Sequence, residues 1–180
     1  MKQSISESIQ IPEGVSCLMA DSTLVAKKGG NEVKKVFQAP LIEVKVENNS
    51  IVFSSKKGNK NQLKVIMSFV AHINNIFKGL NEPFVYKLQT CNVHFPMTLK
   101  VEKDRLIINN FLGEKKPRSA KILPETKVDV KGQNITITSS DKEAAGETAT
   151  NIEKATKIRN RDRRIFQDGI YITEKPGVKI

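Results

Sequence analysis

The feature that most constrains this chain is a change of hydrophobic period that happens twice. Residues 4–11 alternate, with Ile5, Ile9 and Ile11 apolar, until Pro12 stops the run. Similar short runs follow at 15–20, at 22–26, through Val33, Val36 and Phe37, at 41–46 and at 51–53. A spacing of two suits a strand with one buried face. Asp21, Lys27-Lys28-Gly29-Gly30 and Glu47-Asn48-Asn49-Ser50 supply turn chemistry between the runs. Leu63, Ile66, Met67, Val70, Ile73 and Phe77 then recur at spacings of three and four, which predicts one helical stripe with Met67 and Phe77 in the core. Asn59 or Asn61 is suited to open that helix, and Gly79 to close it.

The second half follows the same plan. Strand-like runs lie at 84–93, 97–101, 106–108, 119–123, 127–130 and 135–138. A helix begins at Ser140-Asp141-Lys142-Glu143, which has capping-box spacing, and carries a narrow stripe of small residues from Ala144 to Ala155. The segment from Asn49 to Ser55 lies 84 positions before that from Gln133 to Ser139, and each leads into a helix. The expectation is an α+β chain of two similar tandem domains, each an antiparallel sheet packed with one helix, arising from internal duplication. The domains fall at 1–80 and 81–158, followed by a basic arm over 159–180. A length of 180 residues accommodates two small domains.

Catalytic and metal signals are weak. The chain lacks G-x-S-x-G, P-loop, H-E-x-x-H and G-x-G-x-x-G patterns. Ser68 has no demonstrable base, and Glu102 and Asp104 read as turn residues. Cys91 and His94 share a C-x-x-H spacing that no second pair completes. Cys17 and Cys91 read as two buried, unpaired thiols of a reducing compartment. No apolar run approaches the ~18 residues of a membrane helix, and the start does not lead into a secretory signal. The expectation is a soluble cytoplasmic protein with no enzyme activity, no cofactor, no metal, no membrane and no small-molecule substrate.

Charge is the positive signal. The net charge is +11, and only 38% of residues are apolar, which leaves a large surface for water or a partner. The last 25 residues alone carry +4, centred on Lys157, Arg159, Arg161, Arg163 and Arg164. Arginine's planar fork suits bidentate phosphate contacts and stacking on bases. The alternation of 159, 161 and 163 predicts an extended arm with Asp162 pairing to Arg161 or Arg163. Lys27 and Lys28 on their glycine turn, and Lys175 and Lys179 in the tail, complete the polyanion-binding candidates outside the 115–118 turn.

Several segments carry a family resemblance. Residues 79–88, His94-Phe95-Pro96-Met97-Thr98, Asn109-Asn110-Phe111-Leu112-Gly113-Glu114-Lys115 and Phe166-Gln167-Asp168-Gly169-Ile170-Tyr171-Ile172 resemble large-subunit ribosomal protein L6, archaeal type. Ile11-Pro12-Glu13-Gly14-Val15 and the Lys27-Lys28-Gly29 turn also fit, although Lys28 replaces the family's usual proline and Met67-Ser68 its frequent Gly-Thr pair. The resemblance implies a duplicated α/β fold without enzymatic activity. It implies a place on large-subunit rRNA near the stalk base and the sarcin–ricin loop, beside neighbouring ribosomal proteins. It carries RNA contact to Lys115, Lys116 and Arg118, and to Arg159, Arg161, Arg163 and Arg164. Pro117 stiffens the first of these turns, so all three of its cations are expected to point outward. The alternative reading is a basic RNA-binding module outside the ribosome.

Overall fold

The computed structural model describes residues 3–47, 49–93, 95–162 and 164–179; Asn48, His94 and Arg163 lie outside the described residues. The chain divides into two units, Met1–Glu82 and Pro83–Ile180.

In the first unit, β1 (Gln3–Gln10), β6 (Ser50–Gly58) and β5 (Glu43–Glu47) form an antiparallel sheet in that order. A meander of β2 (Ser16–Ala20), β3 (Thr23–Lys28) and β4 (Asn31–Val36) forms a second sheet. The helix α1 (Lys60–Asn81) packs against both. Alternation points Ile51 and Phe53 of β6 inward, where they meet Leu24, Val33, Ile66 and Ile73 in one buried cluster. Each such side chain contributes about 1.5–3 kcal/mol through burial. Phe37 packs edge-on against Phe69, ring centroids 5.1 Å apart.

Three expectations for this unit change. β6 runs on to Gly58, past the apolar run at 51–53, because pairing with β1 continues through the polar Ser54 and Ser55 and, after a register shift, reaches Gly58 opposite Gln3. Helix α1 passes through Gly79, which is buried in its last turn, and ends at Asn81, with Glu82 as its cap just before Pro83. Asn59 caps its start, reciprocally with Gln62. Met67 is 46% exposed, and Leu63 is also outside the core. At about 100° per residue, Met67 is a quarter-turn from the Ile66–Ile73–Phe77–Leu80 line that faces the sheets.

The second unit has the same order of elements with one addition. β7 (Phe84–Cys91) pairs with β12 (Asn134–Ser139), which pairs with β11 (Lys127–Lys131). Between them runs a meander of β8 (Thr98–Glu102), β9 (Arg105–Asn109) and β10 (Arg118–Lys121). The helix α2 (Lys142–Ala155) follows β12. Asp141, not Ser140, caps it by accepting the Glu143 amide. Ala145, Thr148, Ala149 and Ile152 are buried, so the small stripe brings the helix close to the sheet. A methyl added at Gly146 would stand 3.0 Å from the Tyr86 hydroxyl.

The addition is β13 (Gly169–Lys175), which pairs antiparallel with the outer edge of β7 and continues into β14 (Val178–Lys179). The stretch 159–180, set apart in sequence as an arm, thus supplies strands to the second unit's sheet, with Ile170 fully buried. Cys91 is exposed, against expectation. The inward positions of β7 are Tyr86, Leu88 and Thr90, which turns the next residue out. Cys17 is half-buried, and burial raises its thiol pKa.

Candidate nucleic-acid interface

One end of the second unit gathers most of the sequence-predicted cations. After β9 the chain turns through Phe111–Gly113, with Asn110, Leu112 and Gly113 all at positive φ. Phe111 is buried and anchors this turn, and the Asn110 amide donates to the Pro96 carbonyl at 3.1 Å. The loop 114–117 then presents Lys115 and Lys116 to solvent.

Arg118 does not point outward as expected. Its Nε and Nη2 donate to the two carboxylate oxygens of Glu114 at 2.8 and 2.6 Å. Its Nη1 donates to the Ala155 carbonyl at 2.9 Å, and its guanidinium lies 4.2 Å from the centre of the Phe111 ring. One fork therefore ties the 111–117 loop to the C-terminus of α2. The hydrogen bond from Arg118 lowers the Glu114 pKa, with the charges of Arg118 and Arg161 acting in the same direction.

Leaving α2, Thr156 is buried: its hydroxyl donates to the Glu153 carbonyl and accepts the Ile170 amide at 2.9 Å. The next stretch is a compact turn, not an extended arm. The Asp162 carbonyl accepts the Ile165 and Phe166 amides. Its carboxylate takes the Arg164 amide and guanidinium, each at 2.9 Å, which lowers the Asp162 pKa. Asp162 thus folds the loop onto Arg164, where Arg161 or Arg163 was expected. Arg159, Arg161 and Arg164 are exposed, and the Arg161 guanidinium stacks 4.9 Å from the Phe166 ring centre. Buried Asp168 closes the loop by accepting the Val93 amide, which also holds the loop after β7. Lys115, Lys116, Arg159, Arg161 and Arg164 therefore emerge from loops braced by two internal acceptors, Glu114 and Asp168.

Two further candidates of the second unit lie away from this end. Lys175 lies at the far end of β13, six residues from Gly169, or roughly 20 Å of strand. Lys179 follows it on β14. In the first unit Lys27 pairs with Glu32 at 2.9 Å, and Lys28 donates to Asn81 at the end of α1. Lys27 and then Lys34 lower the Glu32 pKa. Sequence reasoning gave no binding role to the exposed apolar residues beside the basic loops. Val93, Phe95 and Ile165 are among the most exposed large apolar side chains, and the Phe95 ring would meet a methyl on Gly113 at 3.5 Å. A lone aromatic in a polar loop gave no periodic signal. Among the described residues no cluster of three His, Cys, Asp or Glu could hold a metal, and no helix is long and apolar enough to cross a membrane.

An α+β chain whose second unit carries braced basic loops at one end is the class that these observations define. Residues 95–169 match the family described as Ribosomal protein L6. The chain is 44% identical over 173 residues to the large ribosomal subunit protein uL6 of Methanococcus vannielii, covering 96% of this chain and 95% of that one. It is 44% identical to the protein of the same name from Methanosarcina mazei, covering 97% and 99%, and 41% identical to that of Methanobrevibacter smithii, covering 95% and 96%. The chain belongs to the ribosomal protein L6 family, whose archaeal members are structural and not enzymatic proteins.

Proposed function

We propose that this protein is a structural constituent of the large ribosomal subunit in the cytoplasm, binding large-subunit rRNA through the loops 114–117 and 159–166. The observation that carries the reading is the pair of internal braces. Arg118 and Asp168 hold two basic loops on one rigid end, so Lys115, Lys116, Arg159, Arg161 and Arg164 meet RNA with little further ordering. Arg163 belongs to the same run. Phosphate neutralisation with counterion release supplies most of the affinity. Folded RNA is recognised by shape, phosphates and 2′-hydroxyls, which suits cations on stiff loops better than a flat sheet. Lys27, Lys28, Lys175 and Lys179 make separate, weaker contacts in this reading. Contact near the stalk base and the sarcin–ricin loop, with neighbouring ribosomal proteins alongside, is the position that the family resemblance implies.

The two units descend from one duplicated domain in this reading. Its support is their shared order of strands and the match of Ile51 and Phe53 on β6 with Ile135 and Ile137 on β12, all fully buried. The RNA reading is tested by measuring binding to a large-subunit rRNA fragment that includes the sarcin–ricin loop, across about 50 to 400 mM salt. The double variant Lys115→Ala, Lys116→Ala is expected to bind more weakly, with a log–log salt slope flatter by about 0.7–0.9 for each phosphate that is no longer neutralised. Unchanged affinity and slope would place the interface elsewhere.

A further inference from the structure

The two units differ in how they close one sheet edge. In the second, the outer edge of β7 is taken by β13, with Gly169, Ile170, Tyr171 and Ile172 opposite Cys91, Thr90, Gln89 and Leu88. In the first, β1 occupies the position of β7, pairing antiparallel with the strand that leads into the helix. Among the described residues, no strand takes its other edge.

An open edge presents a row of backbone donors and acceptors, and proteins commonly guard it with charge, proline or shortness. The other edge strands here are guarded in this way. β5 carries Glu43, Lys45 and Glu47, β4 carries Glu32, Lys34 and Lys35, and β11 carries Lys127, Asp129 and Lys131. β8 and β10 each carry two charges, and β14 is two residues long. β2 has no charge, but it is short and packs beside β5. β1 stands apart at eight residues, with no proline, no cation and Glu7 as its single charge. Its solvent face carries the small, exposed Ser4, Ser6 and Ser8, with Gln10 at the strand's end, so nothing bulky obstructs an incoming strand along 4–8.

We infer that β1 is a docking edge for an extended segment of another protein of the assembly, which adds antiparallel to β1 as β13 adds to β7. Charge and shape define that segment. It places Lys or Arg opposite Glu7 and apolar side chains opposite Ile5 and Ile9, because facing pairs on a sheet interact directly. RNA does not fit this edge, because a row of alternating amides and carbonyls matches another backbone and not a phosphate chain. A second copy of this chain is disfavoured, since the antiparallel register that matches Ile5 with Ile9 sets Glu7 against Glu7. The inference does not use the RNA-binding loops, but the partner it names belongs to the assembly, so it rests on the ribosomal placement.

The test uses the full chain carrying benzoylphenylalanine at Ser6 or Ser8, assembled into large ribosomal subunits; co-sedimentation establishes assembly before irradiation. The expected result has two parts. The adduct is to another protein, mapped by mass spectrometry to a segment with a basic residue flanked by alternating apolar ones. Amide exchange across 3–10 in the wild-type protein slows at least tenfold on assembly. An adduct to RNA only, or to a second copy, overturns the inference. An adduct to protein with unchanged exchange, or slowed exchange with no adduct to another protein, overturns it equally. Failure to co-sediment counts against the ribosomal placement and overturns the inference with it, since no assembly then supplies the partner, whereas co-sedimentation without an adduct to another protein overturns the inference alone.

Discussion

Replacing Arg118 separates a brace from an RNA ligand, because the two roles move different observables. The guanidinium makes a bidentate pair with Glu114, a bond to the Ala155 carbonyl and a stack on Phe111, while its side chain stays 28% exposed. Hydrogen bonds to charged groups contribute about 1.5–3 kcal/mol each when buried, and exposure of the pair reduces that. Arg118→Ala is therefore expected to destabilise the second unit by roughly 2–3 kcal/mol, since it also removes the bond to the Ala155 carbonyl and the stack on Phe111. For a unit of about 100 residues this lowers Tm by roughly 8–20 °C. Arg118→Lys keeps the charge but not the fork, and is expected to lose about half as much. The assay is built into the sequence: there is no Trp, and the two Tyr, Tyr86 and Tyr171, lie in the second unit, so tyrosine fluorescence follows that unit alone. The pH dependence has a definite sign. The Glu114 pKa is lowered from its ordinary 4.5 in the folded chain, so the contribution is present above 4.5 and is lost as pH falls through the folded value. The difference in Tm between wild type and Arg118→Ala should shrink in that acid window. RNA affinity should fall with the salt slope unchanged, because no phosphate contact is removed. A Tm shift below about 1 °C together with a slope flatter by one phosphate's worth would refute the brace and make Arg118 a phosphate ligand.

Three further outcomes follow from the same structure. Asp168→Ala should cost about 1–3 kcal/mol by orphaning the Val93 amide and should weaken RNA binding, with Asp168→Asn restoring part of both in thermal melts and filter binding. Deleting 169–180 should unfold the second unit while leaving the first intact, because it strips β13 from β7 and removes buried Ile170; urea titration followed by tyrosine fluorescence and by far-UV dichroism reads the two separately. On α1, Ile66→Ala should cost about 2–5 kcal/mol and Met67→Lys less than about 0.5 kcal/mol in denaturant melts; equal losses would put Met67 back in the core.

What the sequence made legible was whatever repeats along it. The period-two runs located most strands of both units to within a few residues, because Ile51, Phe53, Ile135 and Ile137 each sit on the buried side of an alternation. The same logic failed where a strand's membership is decided by its neighbour. Lys56 and Lys57 look like a loop in isolation but extend β6, because β1 pairs beside them. Residues 169–172 stand out as an apolar run within a basic arm, but their pairing as β13 is decided by β7, which offers an edge whose other side β12 already holds.

The candidate interface shows the same division between composition and contact. Its charge could be counted, so the Lys115–Arg118 turn and the 157–164 run were visible as cations. Which of them face RNA could not be counted, since it depends on where Glu114, Ala155 and Asp162 lie in space. Arg118 and Arg164 have equal charge and similar sequence surroundings, yet Arg118 is tied to a carboxylate and a helix end, whereas Arg164 holds a local turn with its side chain 90% exposed. An Asp two residues before an Arg suggests a pair; it does not say that the pair closes a turn that the backbone amides of Ile165 and Phe166 complete. Asp168 is the plainest case. In sequence it is one acid in a basic tail, and in the fold it is the buried acceptor that joins two loops 75 residues apart. Acids within basic segments of such chains are therefore best treated as candidate braces, since a braced loop presents its cations to RNA at less cost in conformational entropy than a free one.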